Sequence, residues 1–212
     1  MPPQRELEQS QVDVDVMDAN SLKRLILHIE KQINTNMQLR MKYADQPERF
    51  MDSELELFQA LKGLHAVAAA PELFPVFVKT RCVPSLLGLL AHENADISVD
   101  VLDLLQEMTG AEDASPEDLL VLVDNVLEHE GAATLAQHLE RLNEAEEDEA
   151  TATHSTLSIF ESILEARPTA ATELAQRTSL LTWLLNRIRV RGFHAIKLCA
   201  VAKLAASCHR QL

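Results

Sequence analysis

The hexapeptide Ser85-Leu86-Leu87-Gly88-Leu89-Leu90 returns further along the chain as Ser179-Leu180-Leu181-Thr182-Trp183-Leu184, an offset of 94 residues. A middle copy lies between them. Leu86 and Leu90 correspond to Leu135 and Leu139 at an offset of 49, and Leu102-Asp103-Leu104-Leu105 corresponds to Leu157-Ser158-Ile159-Phe160 at an offset of 55. A unit of this kind cannot bury its apolar face alone and must stack on its neighbours, which restricts the fold more than any composition does. The six additional residues of the middle copy fall at NEAEEDEA, Asn143 to Ala150. They read as an enlarged acidic turn between helices, with a longer charged helix end as the alternative.

The unit is helical. Ile97, Val101, Leu104, Leu105 and Met108 recur at i, i+4, i+7, i+8 and i+11, one face of a 3.6-residue helix. Only 5 glycines occur and no run alternates in the manner of a strand, so the fold class is all-α. A spacing of about 47 residues between copies matches armadillo and HEAT repeats, so the architecture expected is a right-handed α-α superhelix, a solenoid.

Local chemistry marks the helix ends. Ser115-Pro116-Glu117-Asp118 combines an N-cap, a proline at the first helical position and two acids in the first turn, and Gly131 reads as the following stop. Arg167-Pro168 and Arg191-Gly192 close two further helices. Pro71 and Pro75 predict a short or kinked helix, because Pro75 removes one backbone donor. Upstream, Ser21 reads as the cap of a helix carrying Leu22, Leu25, Ile26, Ile29 and Ile33. Asp45-Gln46-Pro47 starts another, with Phe50, Leu57, Leu61, Leu64 and Ala68 inward. Residues 1–20 lack periodicity and are expected to be a disordered acidic tail, with residues 21–212 forming the repeat domain.

Charge points to a class of partner. The formal net charge is −14, yet residues 174–212 hold seven basic side chains and no acid. From Cys82 to Glu173 there are 21 acidic side chains against two basic ones, Arg141 and Arg167. A body this acidic repels nucleic-acid phosphates and steers basic partners toward itself. The sharpest feature is a stripe on the helix around Val101: Asp96, Asp100, Asp103 and Glu107 lie within about 60° of one another, opposite its apolar face. Like charges at i,i+4 cost about 0.2 to 0.5 kcal/mol per pair, so helix stability alone does not explain them, although an ordinary solvated face does. We take these four as the candidate surface for a Lys/Arg-rich segment, with an ordinary solvated face as the alternative reading. The equivalent positions of the middle copy are Thr151, Ser155, Ser158 and Ser162.

Other chemistry is sparse. Cys82, Cys199 and Cys208 make an odd number without CxxC, which favours a reducing compartment and buried thiols. No secretory leader is visible at the N-terminus, and no window of about 18 residues is apolar and free of charge, so a soluble, non-secreted chain without membrane contact is expected. HExxH, P-loop, GxGxxG and GxSxG patterns are all missing; Cys199, Cys208 and His209 do not converge at tetrahedral spacing. Neither catalysis nor a cofactor is therefore expected. Trp183 and Asn186 stand one turn apart, the pairing by which importin-like arrays hold extended basic peptides, but a single pair in an apolar row reads as core packing.

The blocks NMQLRMKYADQPERFMDSELEL (Asn36 to Leu57), VPSLLGLLAHENADISVDVLDLLQEMTG (Val83 to Gly110) and HLERLNEAEEDEATATHSTLSIFESILEARP (His138 to Pro168) together resemble the beta-catenin-like family of nuclear armadillo-repeat proteins. The resemblance spans roughly Ser21 to Leu185. It implies a non-enzymatic scaffold in pre-mRNA splicing, located in the nucleus, that binds basic nuclear-localisation-type segments of splicing factors of the nineteen complex. Two other functions differ in what they require: an importin-like adaptor needs Trp/Asn pairs on successive repeats, and an enzyme needs a polar constellation on inward faces. Members of the family look longer, so a truncated array is expected, and the basic localisation segment with which they begin has no counterpart in residues 1–20, where Arg5 is the one basic residue. The closing helix HAIKLCAVAKLAASCHRQL leaves Ile196, Ala200, Val201, Leu204 and Cys208 on an apolar face. An array end of this kind either self-associates, the outcome we favour, or frays from about His194.

Overall fold

The computed structural model describes residues 17–143 and 146–189. Among the described residues, ten α-helices follow one another: α1 (Ala19–Lys42), α2 (Met51–Leu64), α3 (Phe74–Lys79), α4 (Cys82–Leu89), α5 (Ala95–Thr109), α6 (Pro116–Glu128), α7 (Gly131–Arg141), α8 (Glu147–Ala166), α9 (Ala170–Arg177) and α10 (Leu180–Arg189). Short 3-10 turns occupy Pro47–Arg49, His65–Val67 and Pro71–Leu73, and no strand occurs among the described residues. The expectations for residues 1–16, for the Arg191-Gly192 helix end, for Cys199, Cys208 and His209, and for self-association through the helix after His194 all lie outside the described residues.

The helices form sets of three that stack in register. α1 touches α4 and α4 touches α7, while α2 packs on α5, α5 on α8, and α3 on α6. The repeat read as a pair of helices thus has a third member, α3, α6 or α9. One continuous core runs from Leu22 to Leu184 and includes every apolar position read on the Val101 helix. Leu86 and Leu90 are buried like their counterparts Leu135 and Leu139, and Leu102 like Leu157, so the offsets of 49 and 55 are equivalences of packing.

Most ends follow their sequence signals. Ser115 Oγ accepts from the Asp118 N–H at 3.1 Å and donates to the Asp118 carboxylate at 2.7 Å, with Pro116 opening α6. Pro71 opens a 3-10 turn and Pro75 sits in the first turn of α3, which is only 6 residues long. Trp183 is buried beside Leu180 and Leu184, as core packing requires. The buried Cys82 thiol is pushed up to about 12 by desolvation, with a smaller effect from Glu30, and so stays protonated.

Four boundaries differ. Pro47 opens only the 3-10 turn Pro47–Arg49, and α2 starts at Met51 with Phe50 as its cap and ends at Leu64, before Ala68. Asp18, rather than Ser21, caps α1 by accepting from the Ser21 N–H at 2.6 Å, so the helix begins inside the segment assigned to the tail. The acidic insertion divides: Asn143 and Glu146 lie in the turn, and Glu147, Asp148 and Glu149 form the first turn of α8, where the helix dipole favours anions. Gly131 is the first residue of α7 rather than a stop, and the left-handed residue is Glu130, at φ 56°. Glycine is needed at 131 because a Cβ would stand 2.6 Å from both Val126 Cγ1 and the Val126 carbonyl oxygen.

Gly131→Ala is accordingly expected to destabilise the fold by about 1–3 kcal/mol, the usual cost of overpacking. Urea unfolding measures it; a midpoint equal to that of the unaltered chain would refute the close approach of α6 and α7.

Candidate functional site

α5 lies between α2 and α8, so its acidic stripe faces two neighbours and is not a uniform solvated face. Asp100 is 2% exposed and has a basic neighbour, which corrects its assignment to an open surface. Lys62 of α2 places its ammonium on Asp100 Oδ1, and His65 Nε2 stands 3.4 Å from the same oxygen. Glu107, at the far end of the stripe, pairs with His65 Nδ1 at 2.6 Å. That contact with the 3-10 turn that continues α2 occupies its carboxylate, so it drops out of an open binding surface. Asp103 is half-buried and accepts a 3.2 Å hydrogen bond from Ser155 of α8, and Asp96 is exposed in the first turn of α5. Ser155 is the repeat counterpart of Asp100, and each of the two points back to the layer before its own.

A groove of about 550 Å³ opens along this seam. One side carries Phe58 and Lys62 of α2; the floor is Ala95, Asp96, Val99, Asp100 and Asp103 of α5; the other side is Glu146, Asp148, Glu149 and Thr151 at the start of α8. Six carboxylates thus face one cation. The α8 acids and the α2 residues were missed in the sequence. The signal for the former was the acidic insertion itself, and for the latter the spacing Phe58, Lys62, His65, which puts all three on one face of α2 and its continuing turn. Lys62 is held above its ordinary pKa, chiefly by its hydrogen bond to Asp100, with Asp103 and Glu107 adding to the effect of Asp100's own charge. Its ammonium also lies 5.2 Å from the centre of the Phe58 ring, a cation–π contact.

A second polar cluster is closed and structural. Asn36 of α1, 2% exposed, donates to Ser53 Oγ at 2.9 Å and accepts from His92 Nε2 at 3.0 Å, while the Asn94 N–H donates to His92 Nδ1 at 3.0 Å. These partners require the neutral imidazole with its proton on Nε2. Arg40 bridges Glu54 and Glu93 beside it, and Asn94 donates to Glu54 at 2.9 Å. Burial, then the charge of Arg40, holds His92 below its usual pKa. The buried members satisfy one another and tie α1 and α2 to the turn before α5.

The catenin-beta-like, Arm-motif containing nuclear family matches residues 4–208. The chain belongs to that family. Beta-catenin-like protein 1 of Mus musculus is 44% identical over 192 residues, which cover 89% of this chain and 34% of the relative; the Homo sapiens protein is 43% identical over the same length. The Beta-catenin-like protein 1 homolog of Schizosaccharomyces pombe is 33% identical over 183 residues, 86% of this chain and 32% of its own. The chain therefore spans about a third of the length of these relatives. The stacked helices are an all-α solenoid of the armadillo kind.

The depressed pKa values of His92 and His138, both lowered mainly by burial, set a pH dependence. Unfolded, each histidine titrates near 6.5. Between that value and the lower folded value the unfolded state binds more protons, so stability is fully present above 6.5 and falls as pH drops below it. Urea midpoints measured from about pH 7.5 down to about pH 5.5 should decline, and His92→Gln should flatten that slope. A slope unchanged by the substitution would mean that His92 is not held neutral by the fold.

Proposed function

We propose that this chain is a non-enzymatic protein-binding scaffold whose groove between α2, α5 and the start of α8 takes a Lys/Arg-rich segment of a partner protein. The observation that supports this most directly is the excess of carboxylates converging there from two repeats, Asp96 and Asp103 from one and Glu146, Asp148 and Glu149 from the next, with Lys62 as the one cation lining the groove. The backbone that carries Asp96, Asp103, Asp148 and Glu149 is set by the stacked helices before the partner arrives, which limits the ordering cost of binding. Of the four residues in the sequence-derived stripe, Asp96, Asp103 and, beneath Lys62, Asp100 contribute; Glu107 serves His65.

The family resemblance extends the proposal to a place in pre-mRNA splicing, in the nucleus, with splicing factors of the nineteen complex supplying the basic segments. The word nuclear in the family's description supports the location. An importin-like transport role is disfavoured by Trp183, which is spent in the core and offers no peptide ladder.

Asp103→Asn combined with Asp148→Asn is expected to weaken binding of an arginine-rich peptide about tenfold or more at low salt and to reduce the salt dependence between about 50 and 300 mM, with helix content unchanged. Titration calorimetry with circular dichroism checks both. Equal affinities and equal salt slopes in the two forms would place the basic segment elsewhere.

A further inference from the structure

Lys62 occupies an unusual place for a surface lysine. Its side chain is 53% exposed, but its ammonium reaches down onto a carboxylate that is 2% exposed. The seat it fills has a built character: the Phe58 ring face on one side, 5.2 Å away, and the buried Asp100 carboxylate beneath. Asp100 is incompletely served there. Lys62 and His65 both address Oδ1, whereas Oδ2 is buried and receives no hydrogen bond from any described group. A buried acceptor without a donor is costly, and an ammonium offers its charge from a single point. A guanidinium presents two parallel N–H groups and matches both oxygens of one carboxylate. The seat lies on the groove floor, among the acids of α5 and α8, and Lys62 covers it on a flexible four-carbon stem that can swing into water.

We propose that Lys62 is a displaceable internal stand-in for the partner: its ammonium keeps the Phe58–Asp100 seat filled in the free protein, and an arginine of the incoming basic segment expels it and takes the seat. The inference rests on the groove reading above and adds its regulation. In the free chain Lys62 neutralises the carboxylate that is hardest to leave bare, and it competes with weak or poorly aligned cations. A segment with arginine in the right place is favoured over a lysine-rich one, because only the guanidinium serves Oδ2 as well as Oδ1. Acetylation or any other loss of the Lys62 charge would open the seat.

The test uses the unaltered chain and a synthetic hexa-arginine peptide. Amine-reactive labelling, read residue by residue by mass spectrometry, should increase at Lys62 on saturation with the peptide, because the expelled ammonium gains solvent; the labelling of Lys31, outside the groove, serves as reference. In parallel, Lys62→Met should bind the peptide about tenfold more tightly, as expected when a competitor that holds the site most of the time is removed. Should Lys62→Met not fold, the labelling arm decides alone. Peptide binding with reduced or unchanged Lys62 labelling, or with no gain in Lys62→Met, overturns the stand-in and leaves the groove reading intact. Absence of salt-dependent binding in every form removes the groove reading, and the stand-in with it.

Discussion

Everything in this chain depends on the position of α5 between α2 and α8. A helix of an array is not free to keep a fully solvated polar face, because its neighbours cover it on two sides. The stripe of four acids on α5 is therefore resolved in three ways. Asp100 is buried and covered by Lys62, Glu107 is matched by His65, and Asp96 and Asp103 remain along the seam that opens toward α8. Like charges one turn apart are unfavourable on an isolated helix; here Lys62 of the preceding layer offsets part of that repulsion at Asp100. What is left over is a field with a direction, and it points into the groove.

The same stacking explains which features were legible in the sequence. Apolar periodicity and the offsets of 49 and 55 reflect burial that each repeat imposes on its own helices, so α4, α5, α7 and α8 and their inward residues could be read directly. Caps and prolines act locally, and Ser115, Pro71 and Pro75 behave as their chemistry dictates. Asp100 was misplaced because a helical wheel represents one helix in water. Its burial is a property of the α2–α5 contact, a relation across 38 residues of sequence that no single periodicity encodes. Gly131 was misread for a related reason: the glycine answers a close approach to Val126, while the positive φ belongs to Glu130.

Two polar clusters of the described fold contrast instructively. Around Asn36 and His92 each donor meets an acceptor, one tautomer suffices, and the cluster ties α1 and α2 to the turn before α5. Around Asp100 an acceptor is left over at Oδ2, acidic residues exceed basic ones, and the cation present is a flexible lysine with half of its side chain in water. A saturated network fixes structure, whereas an unsaturated one on a groove floor has capacity for an external donor. The proposed binding of a basic segment draws on that capacity and on the acidic lining of the groove.

The central claim is the location of the basic-segment site. Backbone chemical-shift mapping of the isotope-labelled chain, titrated with an arginine-rich peptide, tests it most directly. The account predicts that the largest changes fall on Phe58–Lys62, Asp96–Asp103 and Glu146–Thr151, the three walls of one groove. Changes centred instead on the separate cleft lined by Asp124, Glu128, Arg167 and Glu173, with the α2–α5–α8 seam unmoved, would contradict it.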